Sequence, residues 1–234
     1  MSNHAFFDVD QTIYDGNSTS DFYLYLVSQG LGGEWTIAKD KEIGELYSSG
    51  QITYKAAGES AIQLLADTIK GYDVGQIQNF ANKFLLTKNK IKPFVVELIS
   101  ILKNSDYETI LVSGSPTPNV EAIGSAAGTD RALCTTLEIL NNKYTGKVIH
   151  MMDDIEKKKV IISKCRLDST DSIKIGFGDS TGDVAMLSLC NHAFVINPHQ
   201  EEMVALAIAK GWHLVTSDNI LEVVKKTLNI PLNR

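Results

Sequence analysis

The sequence predicts an α/β fold, a doubly wound parallel sheet interrupted early by an inserted bundle of helices. Three observations carry that reading. An apolar strand, His4–Val9, runs straight into a pair of aspartates. Four helix-like stretches then follow one another. From Pro93 onward, short β-rich runs alternate with helical ones, the pattern of a parallel sheet covered by helices on both faces.

The helical stretches come first. Ser20–Gly30 has Ser20 as its N-cap candidate and Gly30 as its stop. Gly33–Ser49, Thr53–Lys70 and Val74–Lys88 are each bounded by Gly, Ser or Thr. Within Thr53–Lys70, Ala57, Ala61, Leu64, Leu65 and Ile69 make one apolar stripe at helical spacing. Short loops between four such helices suit a small bundle. It is expected to occupy residues 15–88, leaving 1–14 and 89–234 as the α/β core. Phe22, Tyr23 and Tyr25 are expected to pack the bundle. In the core, a helix over Pro93–Asn104 leads into the strand Glu108–Val112, which ends at Ser113-Gly114-Ser115. A helix at Pro118–Ala127 and a strand near Ala132–Thr136 follow, then a hairpin turning at Asn141-Asn142. A helix across Ile155–Cys165 precedes the strand Ser172–Phe177, which ends in "GDSTGD". Strands at Ala193–Pro198 and from His213 flank a last predicted helix through Met203–Lys210.

Composition removes several function classes. With 234 residues, 44% hydrophobic and 21% charged, the chain can bury a proper core. A net charge of -6 and only three arginines (Arg131, Arg166, Arg234) argue against a nucleic-acid surface. Cys134, Cys165 and Cys190 show no CxxC spacing and read as packing residues in a reducing compartment. The N-terminus lacks the basic start and apolar segment of a signal peptide. The longest apolar run, Met203–Ala209, is far short of a membrane span. A cytoplasmic setting is expected, with no nucleic-acid or membrane partner. The five histidines show no ligand spacing. The stretch "YTGKV" lacks the upstream glycine and the following Ser/Thr of a P-loop.

Ligands of open α/β sheets bind beyond the carboxyl ends of the strands, and three strands here end in polar residues: "FFDVDQT", "ILVSGS" and "IGFGDSTGD". Each alone is weak, since Asp-x-Asp or Gly-Asp also caps turns and helices. Converging on one crevice, they gather Asp8, Asp10, Asp179 and Asp183, which repel one another unless a cation sits among them. All-oxygen ligation with room for water suits Mg²⁺. A cation beside the Ser113 hydroxyl, the Gly114 amide and a lysine makes a pocket for a dianion, meaning a phosphate.

These segments, in this order, resemble the four motifs of the haloacid dehalogenase (HAD) superfamily of phosphohydrolases, in the branch containing phosphoserine phosphatase. "DVDQT" is similar to the first motif, "LVSGS" to the second, a lysine of "IEKKKVIISKC" to the third and "GFGDSTGDVAML" to the fourth. The helical insert after the first motif and the segment "FVINPHQEEMVALAIAKGW" agree with it. The resemblance implies a HAD-type Rossmann-like core with a helical cap, Mg²⁺ as cofactor, and hydrolysis of a small phosphorylated metabolite through an aspartyl-phosphate. It assigns Asp8 as nucleophile and Asp10 as general acid and base. It places Mg²⁺ on Asp8, Asp179 and the Asp10 backbone carbonyl, with Asp183 behind them. Ser113, Gly114 and the lysine would hold the phosphoryl group, and Thr12 would steady the first loop.

Lys157, Lys158 and Lys159 point about 100° apart on a helix, so one of them faces the crevice. Lys158 shares its side with Ile161, Ile162 and Cys165; Lys157 aligns with Val160, Ile161 and the charged Lys164. The stripe favours Lys158, with Lys157 next. In the phosphoserine branch a glutamate after the first motif and an arginine in the insert grip the amino acid. Asn17 stands at the glutamate's place, and the first arginine of the chain is Arg131. A lysine lacks the planar two-toothed grip, so a phosphomonoester other than phosphoserine is expected. Gln11, where glycine is common in the family, and Asn17 are the candidate specificity positions. A phosphoserine phosphatase with altered cap contacts and a non-catalytic phosphoryl-binding module remain as alternatives.

Overall fold

Alternation decides the centre of the sheet. In β1 (Asn3–Phe7), Phe6 and Phe7 are both fully buried on opposite faces, as a period of two requires. The computed structural model describes residues 3–167 and 172–231, with their side chains except at 154, 158 and 164–167. Six further strands join β1: β2 (Tyr107–Pro116), β3 (Arg131–Leu140), β4 (Lys143–His150), β5 (Lys174–Gly178), β6 (His192–Ile196) and β7 (His213–Val215). Their order is β4-β3-β2-β1-β5-β6-β7. Every pairing is parallel except the β3–β4 hairpin. Asn141 and Asn142, at φ 51° and 62°, make its two-residue turn, the left-handed pair that a tight hairpin needs.

Helices cover both faces. The Phe7 face packs against α5 (Val95–Lys103), α6 (Asn119–Ala127) and α10 (Ile220–Thr227) through Leu98, Ile123 and Val224. The Phe6 face meets α7 (Asp154–Leu167), α8 (Val184–Leu187) and α9 (Glu201–Lys210) through Ile161, Met186 and Met203. The doubly wound expectation therefore holds. Beneath the strand ends, Phe7, Phe177 and Phe194 stack across β1, β5 and β6, with ring centroids 4.4 and 5.0 Å apart. Truncating one of these rings removes about 3–5 kcal/mol of packing directly under the strand ends.

Four helices separate β1 from α5: α1 (Ser18–Ser28), α2 (Glu34–Ser48), α3 (Tyr54–Thr68) and α4 (Val74–Lys88). The chain leaves the sheet and returns to it side by side. The Asp15 N–H donates to the Lys90 carbonyl at 2.8 Å and the Lys92 N–H to the Ile13 carbonyl at 2.9 Å. The expected aromatic packing is present: Phe22, Tyr23 and Tyr25 are buried, and Phe22 and Tyr25 tilt against Phe84 of α4. One cap differs from expectation. Asn17, not Ser20, caps α1, its side chain accepting the Ser20 N–H at 2.9 Å. Starting the helix earlier places Ser18 and Thr19 in its first turn, facing the sheet. On the far side, the α3–α4 connection is stitched to β4, with Gly71 N–H on Tyr144 O at 2.8 Å and Tyr144 N–H on Tyr72 O at 3.1 Å.

Candidate active site

The strand order reverses direction at β1, whose neighbours β2 and β5 are reached by different excursions of the chain. That is the switch point where open sheets leave a crevice. The residues just past β1, at the end of β2 and just past β5 meet there. Asp8, Asp179 and Asp183 bring carboxylate oxygens within 4.8 Å of one another. Asp8 and Asp183 are buried.

Lys157, at the start of α7, is the cation among them. Its Nζ donates to Asp8 at 2.9 Å and to Asp183 at 3.1 Å, and the side chain is buried. This corrects the helix phase read from the sequence, which favoured Lys158. Lys157 lies one turn before Val160 and Ile161, and among the described side chains of α7 these pack on the sheet, Ile161 completely. Ile162 stays only half-buried. The side chains of Lys158 and Cys165 lie outside the described residues.

Both oxygens of Asp183 are engaged. Oδ1 takes Lys157, while Oδ2 accepts the Asp179 N–H at 3.1 Å, the Ser180 N–H at 3.2 Å and the Ser180 hydroxyl. Gly178 makes this possible, because a Cβ there would lie 2.7 Å from Asp183. The Thr12 hydroxyl donates to Asp179 at 3.2 Å, so Thr12 joins the first loop to the β5 loop.

Asp10 has a different shell. Its Oδ1 accepts the Ser18 N–H at 2.8 Å and its Oδ2 the Ser115 hydroxyl at 2.6 Å. Thr19 donates in turn to Ser115 at 2.8 Å, and Asn119 to Ser18 at 3.1 Å. None of Ser18, Thr19, Ser115 or Asn119 stood out in the sequence. The only available signal was the spacing of Ser115 two residues after Ser113. Ser113 Oγ accepts the Ser115 N–H at 3.1 Å, which leaves the Ser113 proton for another acceptor. Gly114 follows it, its carbonyl bound by Thr135 at 2.6 Å.

Electrostatics follow from this layout. Burial and the adjacent Asp183 push the Asp8 carboxyl well above the usual carboxylate range, with Lys157 opposing them. Burial raises Asp10 as well, opposed by its bonds from Ser115 and Ser18. Burial and Asp183 bring Asp179 to about 7. Burial alone would lower the Lys157 ammonium, but Asp8 and Asp183 outweigh it and raise it. Three carboxylates against one ammonium leave an excess of negative charge. An all-oxygen donor set of that kind fits a hard divalent cation.

A cavity of about 250 Å³ opens on Asp179 and reaches Gln11, Tyr47 and Tyr54. Gln11 is half-buried at φ 60°, the left-handed region where glycine carries no penalty. Lys92 donates to its carbonyl. Asn17 is exposed and does its bonding as the α1 cap.

Known proteins share this architecture. Residues 5–188 match the haloacid dehalogenase-like hydrolases. The chain is 26% identical over 226 residues to a probable phosphatase of Mycobacterium tuberculosis, covering 91% of this chain and 74% of that protein. A phosphoserine phosphatase of Archaeoglobus fulgidus is 24% identical over 82% of this chain and 51% of its own length. Among solved structures, a Bordetella pertussis protein of unknown function superposes with a TM-score of 0.75 at 18% identity, covering 92% of this chain and 98% of that one. A phospho-aspartyl intermediate analogue of phosphoserine phosphatase gives 0.59 at 17% identity, covering 92% of each chain. The match spans well over half of the sequence and includes the strand ends that gather the carboxylates: the chain belongs to the haloacid dehalogenase-like hydrolase family.

Proposed function

We propose that the protein is a phosphatase that hydrolyses a small phosphomonoester through an aspartyl-phosphate on Asp8. The observation that carries this reading is the unequal pairing of two aspartates at one strand end, Asp8 buried and Asp10 half-buried. Asp8 is held by the Lys157 ammonium and Asp10 only by neutral donors. An oxygen of the Asp8 carboxylate attacks phosphorus in line, and the bond to the leaving oxygen breaks. Asp10 gives its proton to that oxygen, then takes one from the water that attacks the aspartyl-phosphate and releases phosphate. Burial favours the protonated form of Asp10 needed for the first transfer. Ser113, through its available proton, and Gly114, through its amide, hold the phosphoryl oxygens. Lys157 keeps the Asp8 carboxylate aimed, and Asp183 holds Lys157 in turn.

Mg²⁺ would be held by the Asp8 and Asp179 carboxylates and the Asp10 backbone carbonyl, and would offset the charge between an anionic nucleophile and an anionic substrate. Asp183 supports this from behind, both of its oxygens being committed to protein donors. Helices α1–α4 act as the cap over the crevice. The substrate is a small phosphorylated metabolite other than phosphoserine, because the insert has no arginine and Asn17 caps a helix. No helix among the described residues is long and apolar enough to cross a membrane. A cytoplasmic setting rests on the cysteine usage.

Phosphate release from p-nitrophenyl phosphate, with and without Mg²⁺ and with Asp8→Asn beside the wild type, tests the reading. Mg²⁺-dependent turnover that Asp8→Asn abolishes is expected. Absence of wild-type turnover across several monoesters would reject it. Several relatives are named phosphoserine phosphatases, and a strong preference for phosphoserine would establish that narrower activity instead.

A further inference from the structure

The cavity beside Asp179 is built from two kinds of side chain. Above it, Tyr47 at the end of α2 and Tyr54 at the start of α3 meet edge-on, with centroids 6.1 Å apart and planes at 61°. Below it lie Gln11, His199 and Gln200, beside Ser180 and Asp179. The rings are not covered by the protein: Tyr47 is 48% and Tyr54 65% exposed. Single exposed rings are ordinary, but two adjacent exposed tyrosines at a crevice mouth form a contiguous patch, which is informative. The Gln200 side-chain oxygen, Oε1, accepts the Thr181 N–H at 3.0 Å, which leaves the side-chain amide protons to donate.

The charge of this lining is its other feature. Asp179 belongs to the acidic cluster, and no lysine, arginine or glutamate lines the cavity among the described residues. Lys55, next to Tyr54, is directed elsewhere, to Asp153 at 3.7 Å and Glu59 at 3.9 Å. A zwitterionic leaving group would give up water for its ammonium and carboxylate without a matched pair of counter-charges, which is costly. A neutral ring loses little on entering. One face stacks on a tyrosine, and its hydroxyls meet amides and an imidazole. The volume, about 250 Å³, holds one small ring.

We propose that Tyr54 and Tyr47 are specificity-determining residues that select phosphomonoesters of a neutral, ring-shaped alcohol, a sugar in particular. The inference rests on the phosphatase reading above and names its leaving group. The test compares kcat/KM for glucose 6-phosphate, phosphoserine and acetyl phosphate, the last having no ring to stack. The wild type is expected to favour glucose 6-phosphate over phosphoserine by about tenfold or more. Tyr54→Ala is expected to lower the ratio of glucose 6-phosphate to acetyl phosphate turnover about fivefold, while Tyr54→Phe preserves the ratio. Equal or better use of phosphoserine, or a Tyr54→Ala loss that is the same for both monoesters and for acetyl phosphate, an acyl phosphate, would overturn the proposal. If the wild type hydrolyses neither these nor p-nitrophenyl phosphate, the phosphatase reading fails and calorimetric binding decides this one. Tighter binding of glucose 6-phosphate than of phosphoserine sustains it, and the reverse or no difference removes it.

Discussion

Asp8 and Asp10 stand two residues apart, yet they lie in differently built regions. Asp8 faces α7 and the β5 loop, where a lysine and two further carboxylates are its neighbours. Asp10 faces α1 and the end of β2, where a backbone amide and a chain of hydroxyls, Thr19 to Ser115, surround it. Desolvation raises both carboxyls, so its direction does not distinguish them, although Asp8 is buried and Asp10 half-buried. The kind of neighbour does. Asp8 sits among charges, with an ammonium at 2.9 Å that opposes the rise and Asp183 that adds to it, whereas the hydrogen bonds to Asp10 come from neutral donors. The strand supplies two chemically equal groups, and the elements packed against its end give them different surroundings.

The largest effect is expected from breaking the charged side. Asp8→Asn should lower turnover by at least about 10⁴-fold, since the proposed phosphoenzyme forms on Asp8. Because it also removes one carboxylate from an acidic cluster, the metal-free variant should melt no lower than the wild type. A calorimetric scan therefore separates lost chemistry from lost folding. Lys157→Met should reduce kcat by about 10²–10³-fold, while Lys158→Ala stays within about twofold of wild type. Equal losses at both positions would contradict the helix phase that turns Lys157 into the crevice.

The same side titrates in a defined sense. The Asp179 carboxyl rises to about 7 in the fold from an ordinary value of 3.8. Between those values the folded state binds the proton that the unfolded state has released, so stability falls as pH rises. Chelator-treated protein should lose melting temperature from about pH 5 towards 7, with Asp179→Asn flattening that slope. Added Mg²⁺ should restore the most stability at the upper end, where the carboxylates are ionised and repel.

On the neutral side the effect is smaller and has a different signature. Ser115→Ala removes a hydrogen bond that favours ionised Asp10, so the carboxyl should rise further. The alkaline limb of the kcat profile, which in the proposed mechanism needs protonated Asp10, should then move to higher pH, with kcat down about tenfold. Thr19→Val, one bond further out, should move the limb in the same direction by less. A limb that does not move would show that the hydroxyl chain only fills space.

Much of the fold and the site was legible in the sequence, and the parts that were not have physical reasons. Strand ends announce themselves because apolar alternation stops where polar residues begin, which marked Asp8, Ser113 and Asp179. The Asn141-Asn142 turn and the four helices between β1 and α5 were equally readable. The Lys157–Lys159 run was not, because each step rotates about 100° and the deciding contact, Ile161 on the sheet, is shared by two of the three stripes. The Asp10 shell was invisible for another reason. Ser115 lies 105 residues from Asp10 in the chain, and serine, threonine and asparagine in loops and first turns are too common to carry a signal until the fold brings them together. Asn17 shows the converse. A position judged by what the family places there turned out to be explained locally, by a helix start.

Gln11 gives the smallest expected effect, and it lies at the boundary between the two regions. Its left-handed backbone, φ 60°, turns the chain from Asp10 into Thr12, which binds Asp179. Glycine would relieve a strain of about 1–2 kcal/mol but would free the unfolded chain by roughly 0.5–1 kcal/mol. Gln11→Gly should therefore change stability by no more than about 1 kcal/mol in a denaturant titration. Its side chain lines the cavity beside Tyr47 and Tyr54, so the effect on chemistry should appear in the choice of ester and not in the kcat of a leaving group too small to reach it. If Gln11→Gly instead slowed every ester alike, the residue would be acting through the backbone turn that sets Asp10 against Asp179, and the two regions would be coupled at this peptide.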